Sequence, residues 1–253
     1  MMRVWQALAM GGLLACLAAS AAVAAPAKIV PPGRSISIAN PLYSFDYEYP
    51  AAAGRIPALK AWLDKDAADH LSSIAGQARD AREEARKDKS TYISYDSSTG
   101  WQVVTDLPGW LSLSGMEEEF TGGAHPNHGP TALLWNKKTG RRVKALDLFD
   151  TAALSEAIQA PFCEALNKQR AERRGEPVAP DSTDPFDECI DPVKEVVILG
   201  SADHAHFTRI GILIAPYEAG PYAEGDYDIT LPVTPEVLAA VKPAWRGAFA
   251  LSR

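Results

Sequence analysis

After its first two dozen residues the chain contains no long hydrophobic run, and that shortage is the first thing to exclude a class of function. Nothing there approaches the ~20 apolar residues that a helix needs to cross a bilayer. There is no Gly-x-Gly-x-x-Gly and no P-loop, so nothing argues for a nucleotide site. There is no Cys-x-x-Cys spacing of the kind a redox pair uses. Basic residues are outnumbered, 25 to 32. Nucleic-acid binding needs a net cationic face, so DNA and RNA are poor partners. No internal repeat and no cofactor motif occurs.

What is present begins with an address. Met1-Met2-Arg3 is a short basic start, Val4 to about Ala19 is apolar, and Ala22-Val23-Ala24 fits a small-x-small cleavage site. The expected signal peptide is residues 1–24, and the mature chain begins at Ala25. An uncleaved anchor and lipidation at Cys16 are the alternatives. The expected location is periplasmic or secreted, with no membrane span after cleavage. Cleavage leaves 24 basic against 32 acidic side chains, a net −8, because the removed piece carries Arg3 and no acid. Two cysteines remain, Cys163 and Cys189. In an oxidising compartment an even pair points to one disulfide, with two buried free thiols as the alternative.

Periodicity gives the elements. Residues 25–39 read as a flexible leader ending in a short strand from Ser35. Tyr43 to Tyr49 alternates aromatic with small or acidic residues, a half-buried strand. From Arg55 to about Lys87 the apolar period becomes helical, and its last ten residues are charge and alanine, a solvated extension. Thr91–Tyr95 and Trp101–Thr105 read as strands around a turn at 96–100. The stretch from Leu111 to Phe149 reads as three strands, joined by a glycine corner at Gly122-Gly123 and a hairpin loop at 136–140. In that loop Gly140 is the position needing positive φ. Thr151 to about Arg174 is a second long helix. Val193–Leu199, Phe207–Ala215 and Tyr227–Val233 are later strands. Thr234 caps a short C-terminal helix that opens on Pro235. Residues 243–253 form a tail. The fold class is α+β, with a single antiparallel sheet packed by two long helices and a short one, and not a βαβ fold.

Three groups of residues could carry chemistry. The loop Pro216–Gly225 combines tyrosines, prolines and glycines, so it presents contact area at low entropic cost. Tyr217, Glu218, Pro221 and Tyr222 are its candidate binding residues, and His125, beside the glycine corner, joins them if the two turns meet. Four imidazoles, His125, His128, His204 and His206, would bind zinc if their loops converged, with Glu118 or Glu119 as base. Glu117-Glu118-Glu119 could supply a carboxylate pair for glycoside hydrolysis with Asp147 or Glu218, although a solvated edge strand is the plainer reading.

Phe120-Thr121-Gly122-Gly123-Ala124-His125, Trp135-Asn136-x-x-Thr139-Gly140, Leu146-x-Leu148-Phe149 and the later Pro216-Tyr217 to Gly225 run resemble the extracytoplasmic domain of the lysozyme-sensing anti-sigma factor RsiV, over residues 111–242. The Tyr43–Tyr49 strand and the helix after it resemble the companion module at the front of the peptidoglycan deacetylase PdaC, over residues 40–110. The chain lacks the sigma-binding segment and the separate metal-dependent catalytic domain of those proteins. The resemblance therefore implies binding, to a lysozyme-like protein or to peptidoglycan, and implies no catalysis, no metal and no cofactor. The alternative is a metal-dependent cell-wall-modifying hydrolase built on the histidine cluster.

Overall fold

A computed structural model describes residues 32–252. The expected signal peptide, its cleavage site and Cys16 lie outside them. The described residues form one compact unit.

The first layer is a six-stranded sheet in chain order: β1 (Pro32–Ala39), β2 (Tyr43–Pro50), β3 (Tyr95–Asp106), β4 (Trp110–Phe120), β5 (Asn127–Asn136) and β6 (Arg141–Val143). Between β2 and β3 run a single turn, α1 (Ala51–Gly54), and the long α2 (Pro57–Asp88). That helix carries the chain back to its starting end, so β2 and β3 pair parallel while every other pair is antiparallel. The α+β class with antiparallel-rich sheets holds, and one parallel β-α-β connection sits inside it, because a parallel pair needs a long crossover and α2 supplies it. Strand β3 is also continuous through residues 96–100, which the sequence reads as a turn. Flanking strands on both sides, with Ser97 opposite Phe45 and Glu119, satisfy its backbone and override the turn propensity. Residues 91–94, expected as strand, are coil. Strand β1 starts at Pro32, within the expected leader.

The second layer is a three-stranded meander: β7 (Val196–Gly200), β8 (Arg209–Ile214) and β9 (Tyr227–Pro232). The expected single sheet is therefore two. The long α3 (Thr151–Arg174) and a disulfide-closed loop separate them in sequence, and the second sheet packs across β3–β5. The third strand expected after residue 140 shortens to β6, followed by a 3-10 turn at Ala145–Leu148. Asp150 caps α3 by accepting from Ala152 N and Ala153 N, both at 3.1 Å. Thr234 accepts from Val237 N at the start of α4 (Pro235–Ala240). Each such cap contributes about 1 kcal/mol.

Alternation in β4 and β5 explains two cores. Leu111, Leu113, Leu133 and Trp135 face α2 and join Phe45, Tyr47, Leu59, Leu63 and Trp101. Trp110 and Leu134 face the other way and join Ile210, Ile212, Phe162 and Leu166 between the second sheet and α3. The residues after 243 are not a loose tail: Phe249 is buried, bridges to Phe207, and stacks edge-on against Phe149. Burying one phenylalanine stabilises by about 2–3 kcal/mol, enough to dock a short terminus.

Candidate functional site

The site is assembled where the corner after β4 meets the loop between β8 and β9. Gly122 and Gly123 have φ of 97° and 111°, so the corner needs glycine at both positions. The chain turned there delivers His125, whose ring stacks on Tyr222 with centroids 3.9 Å apart and planes 24° apart. Tyr217 lies 5.7 Å from Tyr222, centroid to centroid, and its hydroxyl is 3.4 Å from His125 Nε2. His125 Nδ1 sits 2.8 Å from the Pro126 carbonyl. With Nδ1 donating to that carbonyl, Nε2 accepts from Tyr217. Tyr222 donates to the same Pro126 carbonyl at 2.9 Å, and its oxygen is 3.3 Å from His128 Nδ1. His128 Nε2 in turn lies 3.4 Å from Asp226 Oδ2. The other oxygen, Asp226 Oδ1, is buried and has no hydrogen-bond partner among the described residues.

Three aromatic rings in contact thus form a small platform. Tyr217 is its projecting member, 54% exposed. It also has φ of 72°, a left-handed conformation that costs a non-glycine residue about 1–2 kcal/mol. A projecting tyrosine held in that conformation needs support from below, and α3 provides it.

Arg170 is completely buried. Its Nε and Nη2 both donate to the Ala219 carbonyl, at 3.0 and 2.9 Å. Its remaining donors reach the Asp187 and Glu188 carbonyls and Asn167 Oδ1. Burial pulls this guanidinium below its ordinary pKa, with the charge of Arg174 adding to the effect. One turn on, Arg173 donates to the Glu224 and Asp226 carbonyls, and its guanidinium lies 3.9 Å over the Tyr227 ring. Arg174 pairs with Glu224 through Nε at 2.8 Å and with Asp187. For Glu224 burial works against the charge, but bonds from Arg174 and Tyr227 outweigh it and hold the carboxyl below its usual range. Gly220 has no room for a side chain: a Cβ there would run into the Glu224 carboxylate and within 3.2 Å of the Tyr227 ring. Arg170, Arg173 and Arg174 therefore hold the aromatic loop at Ala219, Glu224 and Asp226.

The disulfide Cys163–Cys189 is formed, with Cα atoms 5.5 Å apart. It ties α3 to the segment whose carbonyls, at Asp187 and Glu188, complete the shell of Arg170. The sequence points to the pair and to the loop. It gives no sign of the arginines, because Arg170 in a charged helix end looks like any solvated residue.

The other candidates separate. His206 pairs with Asp203 at 3.0 Å in its own turn, while His125 and His128 pack on Tyr222. Among the described residues no three His, Cys, Asp or Glu side chains gather where a metal ion could be held. Strand β4 lies between β3 and β5, so Glu117–Glu119 are on an interior strand and not on an edge. Asp147 closes the turn before α3 by accepting from Lys144 N. Glu218 is exposed beside Tyr217 and raises the pKa of nearby Glu195, whose carboxyl is pushed up to about 7, first by burial and then by Glu218 and Asp191. Pro221 precedes the 3-10 turn that orients Tyr222.

Residues 36–128 match a family model described as deacetylase PdaC. The match spans β1 to β4 and reaches the start of β5, supporting a PdaC-type module there. The fold is similar to the crystal structure of a DUF3298 family protein from Pseudomonas aeruginosa PAO1, at 16% identity and TM-score 0.51, over 88% of this chain and 98% of that one. A DUF3298 family member from Bacteroides fragilis NCTC 9343 is similar at 17% identity and TM-score 0.48, over 85% and 95% of the two chains. At 16% identity the likeness to the Pseudomonas aeruginosa structure speaks for the fold alone. No curated protein matches the chain. The RsiV resemblance has no counterpart among these matches.

Proposed function

We propose that the protein is an exported, non-catalytic binding module of the cell envelope, and that it meets its partner through the Tyr217–Tyr222–His125 platform. The observation that supports this reading most is the support built under one exposed tyrosine. Tyr217 projects in a left-handed conformation while three arginines of α3 hold the loop around it. Strain kept in place by surrounding structure is characteristic of a contact surface. The PdaC-type match over residues 36–128 favours an envelope setting, and the leading apolar stretch favours export.

The partner proposed is a lysozyme-like muramidase or the peptidoglycan it cuts. A narrow aromatic projection suits an enzyme cleft, and a mature charge of −8 would steer a basic enzyme toward it. The rival, a metal-dependent hydrolase built on the histidine cluster, gains support from the match to a deacetylase family but has no gathered ligand set among the described residues. The test is a muramidase assay with increasing amounts of the mature protein, alongside co-sedimentation with insoluble peptidoglycan. Dose-dependent inhibition identifies the enzyme as partner, and co-sedimentation identifies the glycan. Neither effect, with native protein at high micromolar concentration, removes both.

A further inference from the structure

The end of β4 that carries Glu117, Glu118 and Glu119 borders a second site. Helix α2 packs on β2 and β3 but leaves the far ends of β4 and β5 uncovered, and a groove of about 280 Å³ lies there. His70 of α2 forms one wall, and residues 97–99 of β3, 117–119 of β4 and 127–130 of β5, Glu118 and His128 among them, line the rest. The register makes this a single face: Thr99 is opposite Glu117, Ser97 opposite Glu119, and Glu119 opposite Asn127. Strand alternation puts both outer glutamates on the face of Thr99, with Glu118 at the rim of the same groove.

Two observations point to a ligand. Three carboxylates line the groove and no lysine or arginine does, so its acceptors have no lysine or arginine to pair with there. Independently, Thr99 is only 2% exposed and its Oγ1 has no hydrogen-bond partner among the described residues. A buried hydroxyl left unpaired is costly, and a donor entering the groove that Thr99 lines would recover that cost. Its neighbours are already committed: Tyr47 donates to Asp66 at 2.7 Å and accepts from Trp101 Nε1 at 2.9 Å.

We propose that this groove binds a primary ammonium group, with Glu117 and Glu119 supplying charge and Thr99 and Asn127 supplying neutral hydrogen bonds. An ammonium has three donors and no acceptor, which is the complement of this lining. The two natural sources of that chemistry are a lysine side chain and a de-N-acetylated amino sugar. The groove adjoins the aromatic platform through His128, but its test reads binding of an amine, which the platform reading does not require, so either proposal stands if the other fails.

The test titrates the full mature chain, followed by amide chemical shifts, with tri-lysine and with a glucosamine dimer, each against its fully N-acetylated form. Binding of either amine, without binding of its acetylated form, is expected, with shifts centred on residues 97–99 and 117–119. Tri-lysine alone assigns a protein-borne source, and the glucosamine dimer alone assigns glycan. Glu117→Gln should weaken binding about tenfold, the loss of one charge-assisted bond. Thr99→Val should weaken it about fivefold while leaving Tm unchanged or higher, since it deletes an unpaired hydroxyl. Glu83→Gln, on the solvated end of α2 and outside the groove, should change nothing. Equal binding of acetylated forms, wild-type affinity in both groove variants, or no binding of either amine in the millimolar range would overturn the assignment.

Discussion

Replacing Arg170 by methionine tests the support of the aromatic loop most sharply. The side chain is completely buried and donates to three carbonyls, Ala219, Asp187 and Glu188, and to the Asn167 amide oxygen. Methionine fills similar space but donates nothing. Four acceptors lose a partner, at about 1 kcal/mol each. Against this, the folded state no longer buries a guanidinium, which returns about 1–2 kcal/mol. The net expectation is a loss of about 2–3 kcal/mol. That is a large share of a stability that for single domains is about 5–15 kcal/mol. Urea unfolding followed by tryptophan fluorescence measures it. Limited proteolysis locates it: cleavage should appear first between residues 216 and 226. Arg170→Lys keeps the charge but cannot chelate the Ala219 carbonyl, and should lose nearly as much. An Arg170→Met protein within about 0.5 kcal/mol of wild type, the range of an ordinary surface change, refutes the clamp.

Tyr217→Gly should move stability and binding in opposite directions. It relieves the left-handed strain and gains about 1 kcal/mol, while removing the projecting ring and with it partner affinity; thermal melts and a binding titration read the two. Replacing both Cys163 and Cys189 by serine opens a loop with a sequence separation of 26 and should cost about 3.5 kcal/mol on the chain-entropy estimate, seen as a lower urea midpoint. Glu195 gives a pH effect of defined sign. Its folded pKa of about 7 lies above the ordinary carboxylate value of 4.5, so between those pH values the folded state holds a proton that the unfolded state has released. Stability therefore falls as pH rises through that window and levels off above it. Glu195→Gln should remove the fall and raise stability at pH 8 by about 1 kcal/mol after solvent screening, measured as Tm at pH 5 and pH 8.

Much of this architecture is legible from local chemistry. The α3 helix, the Thr234 cap, the Cys163–Cys189 bridge and the positive φ of Gly140 follow from periodicity, capping residues, cysteine parity and turn preference. The meeting of the Gly122-Gly123 corner with the Pro216–Gly225 loop is also anticipated, though across two sheets instead of one. What fails is whatever long-range pairing decides. Asp96 to Gly100 has turn chemistry and becomes the middle of a strand because β2 and β4 flank it. Gly129 and Pro130 sit inside β5, tolerated because β6 pairs only with residues 134–136 and leaves that side of the strand free. Within the candidate site, Tyr217, Tyr222 and His125 are visible as unusual residues in unusual turns. The arginines beneath them are not, because a guanidinium that binds carbonyls far along the chain has no local signature.

Hydrogen–deuterium exchange of the mature protein, with and without purified muramidase or soluble peptidoglycan fragments, tests the binding surface most directly. Protection of residues 120–128 and 216–226 together, by one of these partners and without comparable protection on the α2 face, is the predicted footprint. Protection of only one of the two segments, or of neither, would contradict the claim that the aromatic platform is where this protein meets its partner.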